Sequence, residues 1–476
     1  MEFELVCGLE THIELSTQTK VFCGCSTAFG GEPNTHCCPV CLGLPGSLPK
    51  LNRQAVEYTV LAGLALGCSI SPVSHMDRKN YCYPDLPKAY QISQYDVPLC
   101  HDGQVVLSNG QVIRIERIHL EEDAGKLAHE PGRTLVDYNR CGVPLIEIVT
   151  KPDFRSVEEA REYLELIQLT MRYIGVSDCK MQEGSLRSDV NISLRPKGSE
   201  TLGTRTEIKN MNSFTFMERA IQHEANRQAA ILTAGQKVQQ ETLRYIPDEN
   251  RTEPMRSKED AKDYRFFPEP DLYAVTVSTE EVERLRESLP ELPKTKENRY
   301  RQELGLSAEE ARLLSRYRKI AEYFEAVLPH IQTPKNAANC ILGQIFRRLK
   351  TEEDKEQAEI SVSPEALAEL IRLLEGKKLR ADLLKKTLDS MLDTGKGCME
   401  FLTPEDLAGV SSEQLQEMCH QAVESNPKAA ADYRAGKEKA LKALLGAVMR
   451  QSKGRADAAE AEKMLREQLT APTAHV

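Results

Sequence analysis

From Val6 to Leu15 apolar and polar residues alternate, with Glu10, His12 and Glu14 on one parity and Leu9, Ile13 and Leu15 on the other. A period of two predicts a strand with one face in a core and one polar face. Asp189 to Leu194 repeats the pattern, placing Asp189, Asn191 and Ser193 opposite Val190, Ile192 and Leu194. The period then changes: Val157, Ala160, Leu164, Ile167, Met171 and Ile174 follow a three-four rhythm that ends at Gly175. That rhythm predicts a helix, and Ser156 with Glu159 has the spacing of a capping box at its start.

Up to about residue 292 the chain reads as mixed α and β; beyond it the pattern is almost wholly helical. Two prolines in Leu289-Pro290-Glu291-Leu292-Pro293 would interrupt a regular element and predict a boundary. A second break is expected at Leu402-Thr403-Pro404. The expected architecture is therefore α+β: a catalytic domain at 1–292, a helical domain at 293–405 and a small helical tail at 406–476. No internal repeat is evident, and 476 residues suit roughly two to four domains.

Composition narrows the class. No apolar run approaches the roughly 18–20 residues of a membrane span, and the first residues lack a basic n-region or transit-peptide character, so a soluble, cytoplasmic protein without a membrane partner is expected. The net charge of −10 makes any nucleic-acid surface local. One local candidate runs from Arg434 to Arg455, where Arg434, Lys437, Lys439, Lys442, Arg450, Lys453 and Arg455 face a single acid, Glu438. Phosphate backbone suits such a segment; a solvated helix face is the competing reading. Aromatics are sparse there, so base stacking is not indicated in the tail.

The fourteen cysteines are too dilute for a disulfide framework. Their spacing matters more: Cys23-Gly24-Cys25 and Cys38-Pro39-Val40-Cys41 supply two thiol pairs that could close a tetrahedral, structural zinc site. Cys37 could replace Cys38, and free thiols around a turn are the plain alternative.

Three acidic stretches carry the candidate chemistry. In His119-Leu120-Glu121-Glu122-Asp123, Glu122 shares parity with Ile118 and Leu120, and strand geometry would aim it inward. In Pro144-Leu145-Ile146-Glu147-Ile148-Val149, Glu147 is the one polar residue among four aliphatic ones. An ionised carboxylate buried alone costs several kcal/mol, roughly, so it must pair, bind a cation or stay protonated. A salt bridge is one outcome; with Glu10 and His12, the set also suits a hard divalent cation. No phosphate loop, dinucleotide fingerprint or G-x-S-x-G elbow occurs, so ATP use and serine hydrolysis have no motif support.

Several stretches together closely resemble the B subunit of bacterial glutamyl/aspartyl-tRNA amidotransferases. They are Gly8 to Leu15, Asp77 to Gln91, His119 to Lys126, Pro144 to Val149, Gly184 to Asn191 and Asp263 to Asp271, with Ser452 to Ala456 similar to a tail motif. The resemblance spans essentially the whole chain. It implies a cradle-shaped catalytic domain, a helical domain and a tRNA-holding tail. It also implies a carbon–nitrogen ligase with glutamine as nitrogen donor, in which ATP and magnesium activate the side-chain carboxylate of misacylated Glu-tRNA or Asp-tRNA. An amidase A subunit would supply ammonia through a channel, and a small C subunit would complete a heterotrimer. Carried over by position, the resemblance implies magnesium ligands at His12, Glu122 and Glu147. Glu10, Asp189 and Glu207 would surround the phosphoryl-transfer site, with Lys79 and Lys88 along the channel. A self-contained amide ligase and a zinc-stabilised RNA-binding protein are the competing classes.

Overall fold

The computed structural model describes residues 2–211, 213–256, 264–407, 412–452 and 456–470. It forms two compact units, Met1–Leu292 and Pro293–Val476. The first is mixed α and β and the second is helical, so the chain is α+β. The two prolines act at the boundary in different ways. Pro290 follows the helix Thr279–Ser288, whereas Pro293 opens the helix Pro293–Gln302, where its missing N–H and fixed φ are harmless.

The strands that matter for function are β1 (Phe3–Glu14), β2 (Asp77–Asn80), β3 (Tyr90–Ser93), β4 (Val112–Glu122), β5 (Pro144–Thr150), β6 (Leu186–Pro196) and β7 (Thr206–Met211). A nine-stranded sheet runs in the order Arg251–Arg256, Thr242–Ile246, β7, β6, β1, β5, β4, Cys100–Val106, Ser69–Ile70. All its pairings are antiparallel except that of β7 with Thr242–Ile246. The central strand β1 lies between β5 and β6, which explains its long alternating pattern.

One face of this sheet is apolar. Leu9, Ile13, Ile118, Leu120, Ile146, Ile148, Val190 and Ile192 are all essentially buried in one core, each side chain contributing about 1.5–3 kcal/mol on burial. The helices α1 (Arg53–Ala65), α2 (Val157–Tyr173) and α3 (Phe214–Thr233) contribute to the same core. In α2, Ala160, Leu164, Ile167 and Met171 are buried as the rhythm predicts. Its start differs from a full capping box. Ser156 Oγ accepts from Glu159 N at 3.2 Å, but Glu159 Oε2 accepts from Arg155 N rather than from Ser156 N.

The second unit contains two hydrophobic clusters, one between Tyr300 and Leu402 and the other between Leu415 and Leu469. Lys377 and Asp457 form an ion pair at 2.7 Å within this unit. Among the described residues no helix is long and apolar enough to cross a membrane.

Candidate active site

The other face of the sheet is polar, and strand register assembles it. His12 of β1 pairs with Glu147 of β5, which pairs in turn with His119 of β4. Glu10 is opposite Asp189 of β6, and Asn191 is opposite Glu207 of β7. Paired residues in antiparallel strands point to one side, with Cβ atoms about 4.5–5.5 Å apart, so residues distant in sequence become neighbours.

Two groups of side chains result. In the first, His12 Nε2 lies 3.6 Å from Glu147 Oε2 and 4.0 Å from Glu121 Oε1, while His119 Nε2 lies 3.2 Å from Glu147 Oε2 and 3.5 Å from Glu121 Oε2. One ligand atom each from His12, Glu121 and Glu147 falls within 4.8 Å of the others. Burial disfavours charge on His119, but Glu147 and Glu121 outweigh it and raise its pKa to about 9. His12 is raised against burial by the same two carboxylates. Burial also disfavours ionised Glu147, yet His119 and His12 hold it well below the usual carboxylate range. Glu121 is lowered in the same sense, with burial opposed by His119.

The second group is Glu10, Asp189 and Glu207, again with ligand atoms within 4.8 Å. Lys209 Nζ bridges Asp189 and Glu207 at 3.1 and 2.8 Å, and Asn191 Nδ2 donates to Glu10 at 2.9 Å. Burial and the charge of Glu147 push Glu10 above the usual carboxylate range. Nitrogen and oxygen donors in these positions fit a hard divalent cation.

Glu122, expected beside His12 and Glu147, requires a correction. Alternation turns it away from Glu121, and its carboxylate accepts from Lys88 Nζ at 2.7 Å and from Ile92 N at 2.9 Å. The neighbouring Glu121 occupies the expected place. Reading the polar parity of β4, with His119 and Glu121 together, would have found both residues. Their opposition to Glu147 required the register. Lys79 of β2 lies with Nζ 5.1 Å from the Tyr264 ring, and its charge favours ionised Glu121.

Glu14, the third polar residue of β1, is pushed up to about 9 by burial and by Asp123. Asp123 is itself held down to about 2, since Arg187 and Arg140 outweigh its burial. Arg187 Nη2 reaches Asp123 Oδ2 at 2.6 Å.

The cysteines converge separately. The Sγ atoms of Cys23, Cys25, Cys38 and Cys41 all lie within 4.8 Å of one another, and a tetrahedral zinc with bonds near 2.3 Å would place them about 3.8 Å apart. Cys37 instead has Asn139 Oδ1 at 4.0 Å. A hydrogen bond from Cys23, then Cys38 N–H and the buried Lys20, outweigh burial and draw the Cys41 thiol down to about 4. Lys20 Nζ is 3.7 Å from Cys41 Sγ. Lys20, Cys23 and Cys41 also line a cavity that reaches Lys88, Tyr90 and Glu122.

In the tail, Arg434, Lys437, Lys439, Lys442 and Arg450 are exposed, with Lys437 paired to Asp432 at 2.9 Å. Lys453 and Arg455 of the basic segment, residues 453–455 of the tail motif, and Asp263 lie outside the described residues.

Two family models match this chain. The GatB/GatE catalytic domain family matches residues 5–283, and the GatB domain family matches residues 322–469. A Caldicellulosiruptor saccharolyticus protein, named as the B subunit of aspartyl/glutamyl-tRNA(Asn/Gln) amidotransferase, is 50% identical over 98% of this chain and 99% of its own length. Proteins of the same name from a Thermoanaerobacter species and from Clostridium botulinum are 49% and 48% identical, over 99% and 98% of this chain and 100% and 99% of their own.

Proposed function

The chain belongs to the family of aspartyl/glutamyl-tRNA(Asn/Gln) amidotransferase B subunits, and we propose that it is the subunit that activates the side-chain carboxylate of misacylated Glu-tRNA(Gln), Asp-tRNA(Asn) or both. A carboxylate oxygen attacks the γ-phosphorus of ATP and the β–γ bridging bond breaks, giving an acyl phosphate and ADP. Ammonia then attacks the acyl carbon, phosphate leaves, and the nitrogen loses a proton to become the amide. This makes the enzyme a ligase of protein biosynthesis.

The observation that carries this reading is the convergence of His12, Glu121 and Glu147 from three strands, beside Glu10, Asp189 and Glu207. Phosphoryl transfer to a carboxylate brings anions together, so it requires fixed positive charge and close positioning of both partners. Magnesium, held by His12, Glu121 and Glu147, would shield that charge when bound. Lys209 restrains Asp189 and Glu207 and reduces their repulsion of an incoming phosphate. Lys79, near Glu121, adds a further cation at the same face.

Lys88 and Glu122 take a different role in this reading. They line the cavity beside the cysteine cluster, which suits a path for ammonia released by a glutamine-hydrolysing A subunit, with a small C subunit completing the assembly. The cysteine cluster would hold structural zinc, because four protein sulfurs leave no open position for catalysis. Units at 293–405 and 406–476 would hold tRNA, with the exposed basic residues of the tail meeting phosphate. A cytoplasmic location follows from the same reading.

The test is amidation of both misacylated tRNAs by the chain assembled with its partner subunits. ATP-dependent amide formation that is lost in Glu147→Gln is expected. Turnover with free glutamate and no RNA would favour a small-molecule ligase, and undiminished ATP turnover in Glu147→Gln would favour a binding-only role.

A further inference from the structure

Beside the acidic site, four aromatic rings stand in series. Tyr81 and Tyr264 are 5.9 Å apart between centroids, Tyr264 and Phe266 are 6.1 Å apart, and both pairs meet edge to face. Phe266 then stacks on Tyr95 at 4.3 Å with the planes 14° apart. The run is tied to the acidic strand: β2, which leads into Tyr81, pairs with β3, and Gln91 of β3 donates from Nε2 to Glu122 O at 2.8 Å. Ser93, two residues before Tyr95, places its Oγ 3.1 Å from Glu121 Oε2. At the outer end Tyr95 is 57% exposed.

The run of rings is held in place by the backbone. Asn80 N donates to Tyr264 O at 2.9 Å and Asn80 Nδ2 to Arg265 O at 2.7 Å. Between the two ring-bearing residues, Arg265 adopts φ +45°, a left-handed conformation uncommon for a residue with a side chain. It separates Tyr264 from Phe266 in a turn that the Asn80 hydrogen bonds fix. Lys79 Nζ sits 5.1 Å from the Tyr264 ring centroid, within cation–π range.

We propose that Tyr81, Tyr264, Phe266 and Tyr95 form a stacking track for the unpaired 3′ end of the RNA substrate, leading its aminoacylated last nucleotide to Glu121 and its neighbours. The proposal rests on the RNA-dependent reading above. One purine, as in ATP, needs one ring, whereas several rings in series with a cation among them match successive unpaired bases. An aminoacyl ester sits at the RNA terminus, so the end must enter from solvent with the amino acid foremost, and the track runs from an exposed ring to the carboxylates. It also supplies the aromatic surface that the basic tail lacks.

The experiment uses the assembled amidotransferase and misacylated tRNA carrying 2-aminopurine in place of the terminal adenine, whose fluorescence falls on stacking. In Tyr95→Leu and Phe266→Leu the KM for RNA should rise about tenfold or more per ring removed, with the quench lost and the KM for ATP and kcat at saturating RNA unchanged. Tyr95→Phe, which keeps the ring, should retain both affinity and quench. Wild-type RNA affinity and quench in both leucine variants would overturn the proposal, as would a change confined to the KM for ATP. If the wild-type assembly forms no amide on any RNA, the RNA-dependent reading fails and this proposal fails with it; turnover by wild type with unaltered variants overturns the ring assignment alone.

Discussion

Glu147 Oε2 lies 3.2 Å from Nε2 of His119, its register partner on the adjacent strand. The pair explains how a carboxylate among four aliphatic residues stays ionised: His119 and His12 both bear on it, and Glu121 completes the ring of charge. Removing one member of such a buried set leaves the others uncompensated.

Glu121 and Glu122 should therefore differ sharply on substitution. Glu121→Gln is expected to lower ATP-dependent activation by about two to three orders of magnitude, the range for loss of a preorganised charged contact. Glu122→Gln should leave activation with added ammonium salts near wild type and reduce glutamine-supported amidation. ATPase and amidation assays on the two variants, with each nitrogen source, check the assignment. Equal loss of activation in both would contradict it.

The histidines predict a pH dependence for the metal-free protein. His119 is raised from an ordinary value of 6.5 to about 9, so the folded chain holds that proton more tightly than the unfolded chain. The stability it contributes is complete below about 6.5 and declines as pH rises through about 9. Glu147 acts in the opposite direction: its contribution is present above the usual carboxylate range and declines as pH falls through its depressed value. Thermal midpoints in chelator should fall between pH 7 and pH 9.5. Magnesium should bind more tightly as pH rises, because it competes with the proton on His12, which the carboxylates of Glu147 and Glu121 hold more firmly than usual. Calorimetry in buffers of different ionisation enthalpy would register the released proton.

Glu14 and Asp123 offer a contrast between two acids in one cluster. Glu14, raised to about 9, is protonated near neutrality, so Glu14→Gln should change stability by about 1 kcal/mol or less. Asp123→Asn takes the counter-charge from Arg187 and Arg140 and should cost about 3–5 kcal/mol. Urea unfolding of the two variants separates these outcomes.

For the cysteine cluster the expected stoichiometry is one zinc per chain. Cys41→Ser should reduce bound zinc below about half an equivalent and lower the thermal midpoint, while Cys37→Ser should leave both unchanged. Elemental analysis and thermal unfolding are sufficient measurements. Full zinc in Cys41→Ser would remove that residue from the site.

Much of this arrangement is legible in the sequence because alternation is local. The polar face of β1, the apolar face of α2 and the two cysteine pairs each follow from residues a few positions apart. What local pattern does not contain is pairing between distant strands. His119 shares the polar parity of Glu121 in the sequence, but its role depends on Glu147 standing opposite it. Glu122 is misread for the same reason. Its parity with Ile118 and Leu120 gives a direction, inward, but that direction leads to Lys88 and Ile92 N, not to His12. The track of rings is likewise hidden, since Tyr95 and Phe266 are separated by most of the first unit.

Oxygen transfer tests the central claim most directly. Misacylated tRNA labelled with ¹⁸O in the side-chain carboxylate is turned over by the assembled enzyme with ATP and glutamine, and the inorganic phosphate is examined by mass spectrometry. If the carboxylate is activated by phosphorylation, one labelled oxygen appears in phosphate for each amide formed. Unlabelled phosphate accompanying full amide formation would contradict the account.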